Sequence, residues 1–248
     1  MQFIKQKIQN NFSRASTSYE SVAWVQKESS KILVSKLRQK FPSFYPKTIL
    51  DLGTGTGFLP KELLCFYDQS FYTLNDISSK MIDIVCQKFK NNSLFSFSLG
   101  DFETENFSKH DLIISNLSFQ WAADLKKTIS KFFNYSKIFA FSSLLEGSFI
   151  EWNNFLATYG VFEAVQKYPS KEVFYGIIES LSPSKFCFYN RSFEVYFSSA
   201  KEFISYLRAL GACSIKKNVS PVVIKKMIQN SHINLKITYD VLFCFIKR

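Results

Sequence analysis

The chain has 248 residues, 46% of them hydrophobic and 21% charged, which supplies a sizeable core and excludes disorder as its overall state. Its 31 basic and 20 acidic side chains give a net charge of +11, and with only 8 glycines it is neither collagen-like nor of low complexity. The charge is divided: residues 1–50 carry 9 basic and 2 acidic groups, residues 51–125 carry 5 and 10, and residues 201–248 carry 9 and 2, so that basic flanks around an acidic middle suit an acidic protein, a phosphorylated group, nucleic acid or a membrane without choosing among them.

The opening segment MQFIKQKIQNNF lacks the continuous apolar core of a signal peptide. Phe3, Ile4 and Ile8 among its lysines can form a short amphipathic helix, which leaves peripheral membrane contact open. No apolar stretch approaches the roughly 20 residues that span a bilayer, so stable membrane insertion is not expected. A helical pattern over residues 20–40 ends before FPSFYP, whose prolines lead into a buried strand at 48–52. The sequence GTGTG then turns the backbone into a helix at 59–66. A second strand is expected at 71–74, a helix at 79–89, and strands at 94–99, 111–118 and 137–144, with a helix at 124–133 before the last of these. Alternating strands and helices predict a doubly wound parallel sheet. Residues 146–180 interrupt the rhythm with aromatic-rich helical material, a candidate lid. SFEVYF, a helix at 199–210 and ITYDVLFCFI return to the core pattern.

The five cysteines, Cys65, Cys86, Cys187, Cys213 and Cys244, are odd in number, widely spaced and without a C-x-x-C pair, which fits a reducing cytoplasm and offers no zinc site. Chemistry concentrates after the first strands. Gly53, Gly55 and Gly57 follow a strand directly and allow a ligand to approach the backbone closely. Asp51, just before them, can orient the loop or accept from an ammonium group through water. Asp76 follows the second strand, where a carboxylate can accept from both hydroxyls of a ribose. The third glycine falls too early for G-x-G-x-x-G, which disfavours NAD, and no Gly-Lys-Ser/Thr follows, which disfavours a phosphate-binding P-loop. Asp101 and Phe102 follow the third strand, where they can meet an adenine amino group and its ring. Asn116 closes a polar rim at the fourth strand.

In this order DLGTGTG, LNDISSKM, LGDF and IISNLS resemble the motifs of class I S-adenosylmethionine-dependent methyltransferases over residues 48–118. FSRASTSYE, NLSFQWAADL, LLEGSF and FSSAKEFISYLRALGA extend the resemblance to the malonyl-[acyl-carrier protein] O-methyltransferases of biotin synthesis. Gln120 before Trp121 distinguishes that family from respiratory-complex assembly relatives, which resemble NLSLHW at this point and are the nearest alternative beside methyltransferases of another small carboxylate. Thr54 stands where many members have cysteine, a position that needs backbone space rather than a thiol.

The resemblance implies a single domain with a Rossmann-like, seven-stranded, mostly parallel sheet, helices on both faces and a helical lid insertion. Residues 1–47 would form a substrate-side helical cap, 48–145 the cofactor core, 146–184 the lid, and 185–248 the completion of the sheet. It implies S-adenosyl-L-methionine as cofactor, bound by Asp51, Gly53, Gly55, Gly57, Asp76, Ile77, Met81, Asp101, Phe102 and Asn116, with no metal. The free carboxylate of a malonyl thioester on acyl-carrier protein would be the acceptor, giving a methyl ester for biotin precursor synthesis. Tyr19, Gln120 and Trp121 are expected to wall and orient the acceptor. Arg208, or alternatively Arg14, would hold a carboxylate or a phosphopantetheine phosphate. Lys126, Lys127, Lys216 and Lys217 could attract the acidic carrier. A cytoplasmic monomer with no nucleic-acid partner completes the expectation.

Overall fold

A computed structural model describes residues 2–162, 167–212, 225–226 and 234–248. Cys213, Lys216 and Lys217 lie outside the described residues. The helices run α1 (Gln2–Ala15), α2 (Tyr19–Val22), α3 (Trp24–Lys40), α4 (Phe58–Leu64), α5 (Ser79–Phe89), α6 (Leu125–Tyr135), α7 (Ile150–Ala157), α8 (Lys171–Glu179) and α9 (Ala200–Ala209). Between them lie β1 (Thr48–Leu52), β2 (Phe71–Asp76), β3 (Phe95–Leu99), β4 (His110–Ser115), β5 (Ser136–Leu144), β6 (Lys185–Phe197) and β7 (Leu235–Lys247). They form one seven-stranded sheet in the order β3-β2-β1-β4-β5-β7-β6. β7 runs antiparallel to both of its neighbours, and the other described pairings are parallel, which confirms the mostly parallel, Rossmann-like expectation.

Alternation along the strands divides the core into two layers. Ile49, Ile114, Ala140, Val241 and Phe243 face α3, α4, α5, α7 and α9. Leu50, Ile113, Phe139, Phe141 and Leu242 face α6 and α8. The inner strands β1, β4, β5 and β7 are largely buried on both sides, as their continuous apolar runs require. Side chains set several helix starts: Ser78 accepts from Met81 N–H, Asp124 from Lys127 N–H and Ser199 from Glu202 N–H.

Three departures from the sequence pattern have local causes. β2 continues through Asn75 and Asp76 because the Asn75 amide, fully buried, donates to the carbonyls of Ser98 and Gly100 at 3.1 Å each. β4 stops at Ser115 because Leu117 adopts a positive φ of 51°. β6 begins at Lys185, where Asn190, Arg191 and Ser192 break the apolar pattern, because an edge strand can turn polar residues to solvent and still pair with β7. The segment 146–184 does not behave as one unit. α7 packs on β7, whereas α8 packs beside α6 on the other face of the sheet.

Candidate active site

The strand order reverses between β1 and β4, and at such a switch point the carboxyl ends of parallel strands leave a crevice. Here it is a concave pocket of about 620 Å³ of empty space, part of it open to solvent. Gly53, Gly55, Asp76, Ile77, Met81, Asp101, Phe102 and Asn116 all line it. Gly53 and Gly55 have φ of 70° and 56°, the left-handed region, and a Cβ on Gly53 would collide with the Ser118 side chain. Beside Gly55 such a carbon would meet nothing nearer than the Tyr19 ring at 3.9 Å, so the loop leaves open space there. Asp76 is fixed by N–H donors from Gly55 at 2.9 Å and Ser78 at 2.8 Å, one to each carboxylate oxygen.

Two expected cofactor residues stand behind this wall. Gly57 begins α4 and lets Val85 and Phe89 pack against the loop. Asp51 is wholly buried, and neither of its oxygens makes a hydrogen bond of ordinary geometry. Burial pushes Asp51 up to about 7, the Thr54 hydroxyl pulling the other way and the charge of Asp76 adding to the rise. Burial pushes Asp76 up to about 6, against the pull of the N–H groups of Ser78, Gly55 and Ile77. No basic side chain is among the groups that act on either carboxylate. Two buried acids at the glycine loop with no cation beside them among the described residues suit a ligand that brings positive charge, and a sulfonium with an amino group is one.

At the far end, Phe102 stacks on Phe119 with ring centroids 5.7 Å apart. Lys5 lies 5.4 Å over the Phe102 ring, reaches Asp101 Oδ1 at 3.3 Å and pairs with Glu103. Burial raises Glu103, but Lys5 and the N–H groups of Ala123 and Asp124 outweigh it and hold this acid below the usual carboxylate range. Asn116 touches the pocket, yet its amide ties elements together: Oδ1 accepts from Ser29 at 2.6 Å and Ser142 at 2.8 Å, and Nδ2 donates to Gln26 O at 2.9 Å.

A second chamber, of about 710 Å³, shares Phe12, Tyr19, Leu117 and Trp121 with the first, so the two are continuous. Tyr19, Gln120 and Trp121 are thus brought together at the junction. Tyr19 stacks on Phe58 at 6.2 Å, Trp121 meets Phe12 edge-on at 5.8 Å, and Gln120 donates to Leu117 O at 2.6 Å. Burial, then the charge of Asp76, pushes the Tyr19 hydroxyl well above its ordinary value, so it stays protonated. The remaining walls are Gln26, Leu144, Phe149, Trp152, Tyr168, Leu207, Leu210, Ala212 and Tyr239. Among the described residues this chamber contains no Asp, Glu, His, Lys or Arg. Arg208 is not brought into it. It stands on the exposed side of α9, between the wall residues Leu207 and Leu210, and Arg14 is likewise exposed at the end of α1.

Sequence reasoning missed Lys5, Ile8, Phe12 and Ser118 in the first pocket, and Trp152, Tyr168 and Tyr239 in the second. The four-residue spacing of Ile8 and Phe12 was the available signal for α1. Their side of the helix covers the pocket, which supplies a partner for an apolar face that the sequence alone left open to a membrane surface. Among the described residues, no helix is long and apolar enough to cross a membrane, and Cys65, Cys86, Cys187 and Cys244 form no disulfide.

Residues 49–137 match the family model of a methyltransferase domain. The whole fold is similar to that of magnesium protoporphyrin IX methyltransferase from Synechocystis PCC 6803, solved with bound SAH, at a TM-score of 0.63 and 13% identity, covering 99% of this chain and 100% of that one. The fold, the glycine loop and the paired acids define a class I S-adenosyl-L-methionine-dependent methyltransferase. In sequence the chain is 33% identical over 238 residues to the malonyl-[acyl-carrier protein] O-methyltransferase of Neorickettsia risticii, covering 96% of this chain and 94% of the relative. It is 32% identical over 216 residues to the protein of the same name from Anoxybacillus flavithermus, covering 84% and 80%. The chain belongs to the malonyl-[acyl-carrier protein] O-methyltransferase family.

Proposed function

We propose that the protein methylates the free carboxylate of a malonyl thioester carried on acyl-carrier protein, giving the methyl ester used in biotin precursor synthesis. The observation that carries this reading is the absence of any base among the described residues of the second chamber. An amine or hydroxyl acceptor must lose a proton to or after attack, whereas a carboxylate with a pKa near 4 arrives ionised. Transfer to it moves no proton, so the walls need only position the acceptor and keep water out.

S-adenosyl-L-methionine supplies, when bound, a methyl group made electrophilic by its sulfonium. Asp76 would hold the ribose hydroxyls, Gly53 and Gly55 give the amino-acid portion room, Ile77 and Met81 pack on the nucleoside, and Phe102 and Asp101 meet the adenine. Asp51 acts from beneath the loop and Asn116 by fixing the end of β4. Tyr19 stands where the two chambers meet and would orient the acceptor by its hydroxyl, with Gln120 and Trp121 closing the other side.

In this reading residues 1–47 cap the site, α7 with the residues after it forms the lid side, and Arg208 and Arg14 guide the carrier arm from the rim, with Lys126 and Lys127 adding positive field. A cytoplasmic monomer without nucleic acid suffices. Initial rates with malonyl-carrier, malonyl-coenzyme A and simple carboxylates test the assignment. The carrier form should have the highest kcat/KM, and preference for a free carboxylate would transfer the protein to small-molecule methylation.

A further inference from the structure

The proposed acceptor is an anion, and among its described residues the second chamber offers it no cation, but its inner wall carries hydroxyls. Tyr239 projects from β7, 2% exposed, with its hydroxyl 3.2 Å from that of Tyr206 on α9. Its ring is held edge-on by Phe149 at 4.6 Å, and the Tyr206 ring lies 5.0 Å from Phe197. Tyr168 lines the same chamber and packs on Phe149 at 6.0 Å. Tyr19 lines the chamber too, at its junction with the first pocket, so three phenols border one space and Tyr206 stands beside Tyr239.

We propose that Tyr239, backed by Tyr206 and flanked by Tyr168 and Tyr19, forms a charge-neutral cradle that binds the acceptor carboxylate by O–H donation. The inference rests on the carboxyl-acceptor reading and names the residues that make the acceptor site selective. Tyr239 and Tyr168 touch the acceptor, and Tyr206 is a positioning residue. As placed, Tyr239 donates to Tyr206. Rotation about the two C–O bonds reverses the pair, so that Tyr206 donates to Tyr239 and the Tyr239 proton is released to the carboxylate. Burial keeps all four hydroxyls above their ordinary values, so they remain donors throughout the physiological range.

The chemical gain over a guanidinium is specific to this reaction. An arginine would neutralise the carboxylate and compete with the positive donor for it, whereas phenols hold the oxygens in place and leave their charge facing the donor. The same wall discriminates against the product: the methyl ester cannot repay the desolvation of these hydroxyls as a carboxylate does, so product release is favoured.

The test uses the full-length protein saturated with S-adenosylhomocysteine, titrated calorimetrically with malonyl-pantetheine and with its methyl ester. Wild type should bind the free carboxylate more tightly than the ester. Tyr239→Phe should weaken malonyl-pantetheine roughly tenfold or more, abolish the preference, and leave donor Kd within about twofold. Tyr206→Phe should give a smaller loss and add nothing in the Tyr239→Phe background, a coupling that separate structural roles would not produce. Tyr168→Phe should erode the same preference. Retained preference in Tyr239→Phe overturns the cradle, as does parallel weakening of donor and both probes. If wild type fails to methylate malonyl-carrier but Tyr239→Phe still removes the preference for the carboxylate, the cradle stands and the identity of the acceptor fails. If the carrier is methylated and the preference survives, the cradle alone fails.

Discussion

Asp51 and Asp76 are paired acids with no cation beside them among the described residues, and the arrangement has opposite consequences for the free and bound protein. A carboxyl whose folded pKa is raised binds its proton more tightly in the native state. Without donor, the fold is therefore most favoured below the unfolded value near 4, and that stability is lost as pH rises through about 6 for Asp76 and about 7 for Asp51. In the proposed site the donor is held by the ionised acids, so its affinity should fall as pH is lowered from 8 through 6. Thermal shift and calorimetry across that range should give slopes of opposite sign, and parallel slopes would remove the acids from donor binding. Asp51→Asn should raise the melting temperature of the free protein at pH 8 by a few degrees, about 2–4 °C per kcal/mol for a chain of this size, while weakening donor binding. Asp76→Ala should weaken the donor at least tenfold with the cooperative unfolding transition retained. These residues were legible because each stands at the carboxyl end of a strand and the motifs recur in chain order. Tyr168 and Tyr239 were not, because they come from a loop and from β7, about 50 and 120 residues beyond Gln120, and nothing local marks one tyrosine among 12 as facing a chamber.

At the scale of elements, α1 shows where local pattern ends and tertiary context decides. Lys5, Gln9 and Ser13 recur every four residues, the spacing of one helix face. They contact Asp101 and Glu103, the Ile77 carbonyl at 2.9 Å, and the Ser78 hydroxyl at 2.9 Å, all on segments that hold the proposed nucleoside. An amphipathic helix is readable from sequence, but its partner is set by α5 and α9, against which it packs. Donor binding should slow amide hydrogen exchange in α1, and Lys5→Gln should reduce that protection and weaken the donor by up to about tenfold. An effect of this size fits a partly buried charge-assisted contact of up to about 1.4 kcal/mol. Unchanged exchange would leave α1 a static support. The strand and helix pattern of β1 and α5 was legible to the residue because their apolar runs and caps are local. The start of β6 was not, since its outer face is polar and only pairing with β7 defines it.

Over the whole molecule, the basic flanks and acidic middle acquire different meanings. The acidic segment contains the proposed donor loop and its carboxylates, whereas Arg14 and Arg208 stand exposed on α1 and α9, which border the proposed acceptor chamber. A carrier drawn by this field should show a KM that rises with ionic strength, and a small carboxylate should not. Arg208→Ala should raise KM for the carrier several-fold, flatten the salt dependence and leave donor Kd unchanged. Equal loss with carrier and free malonyl-pantetheine would place Arg208 in the fold rather than at the carrier. The central claim is the acceptor itself, and intact-mass analysis of malonyl-loaded carrier incubated with enzyme and S-adenosyl-L-methionine tests it most directly. The account predicts a carrier heavier by one methylene unit, absent with acetyl-loaded carrier and lost together with the acyl group when the thioester is cleaved. A donor that binds in an Asp76-dependent manner while the malonyl carrier keeps its original mass would contradict it.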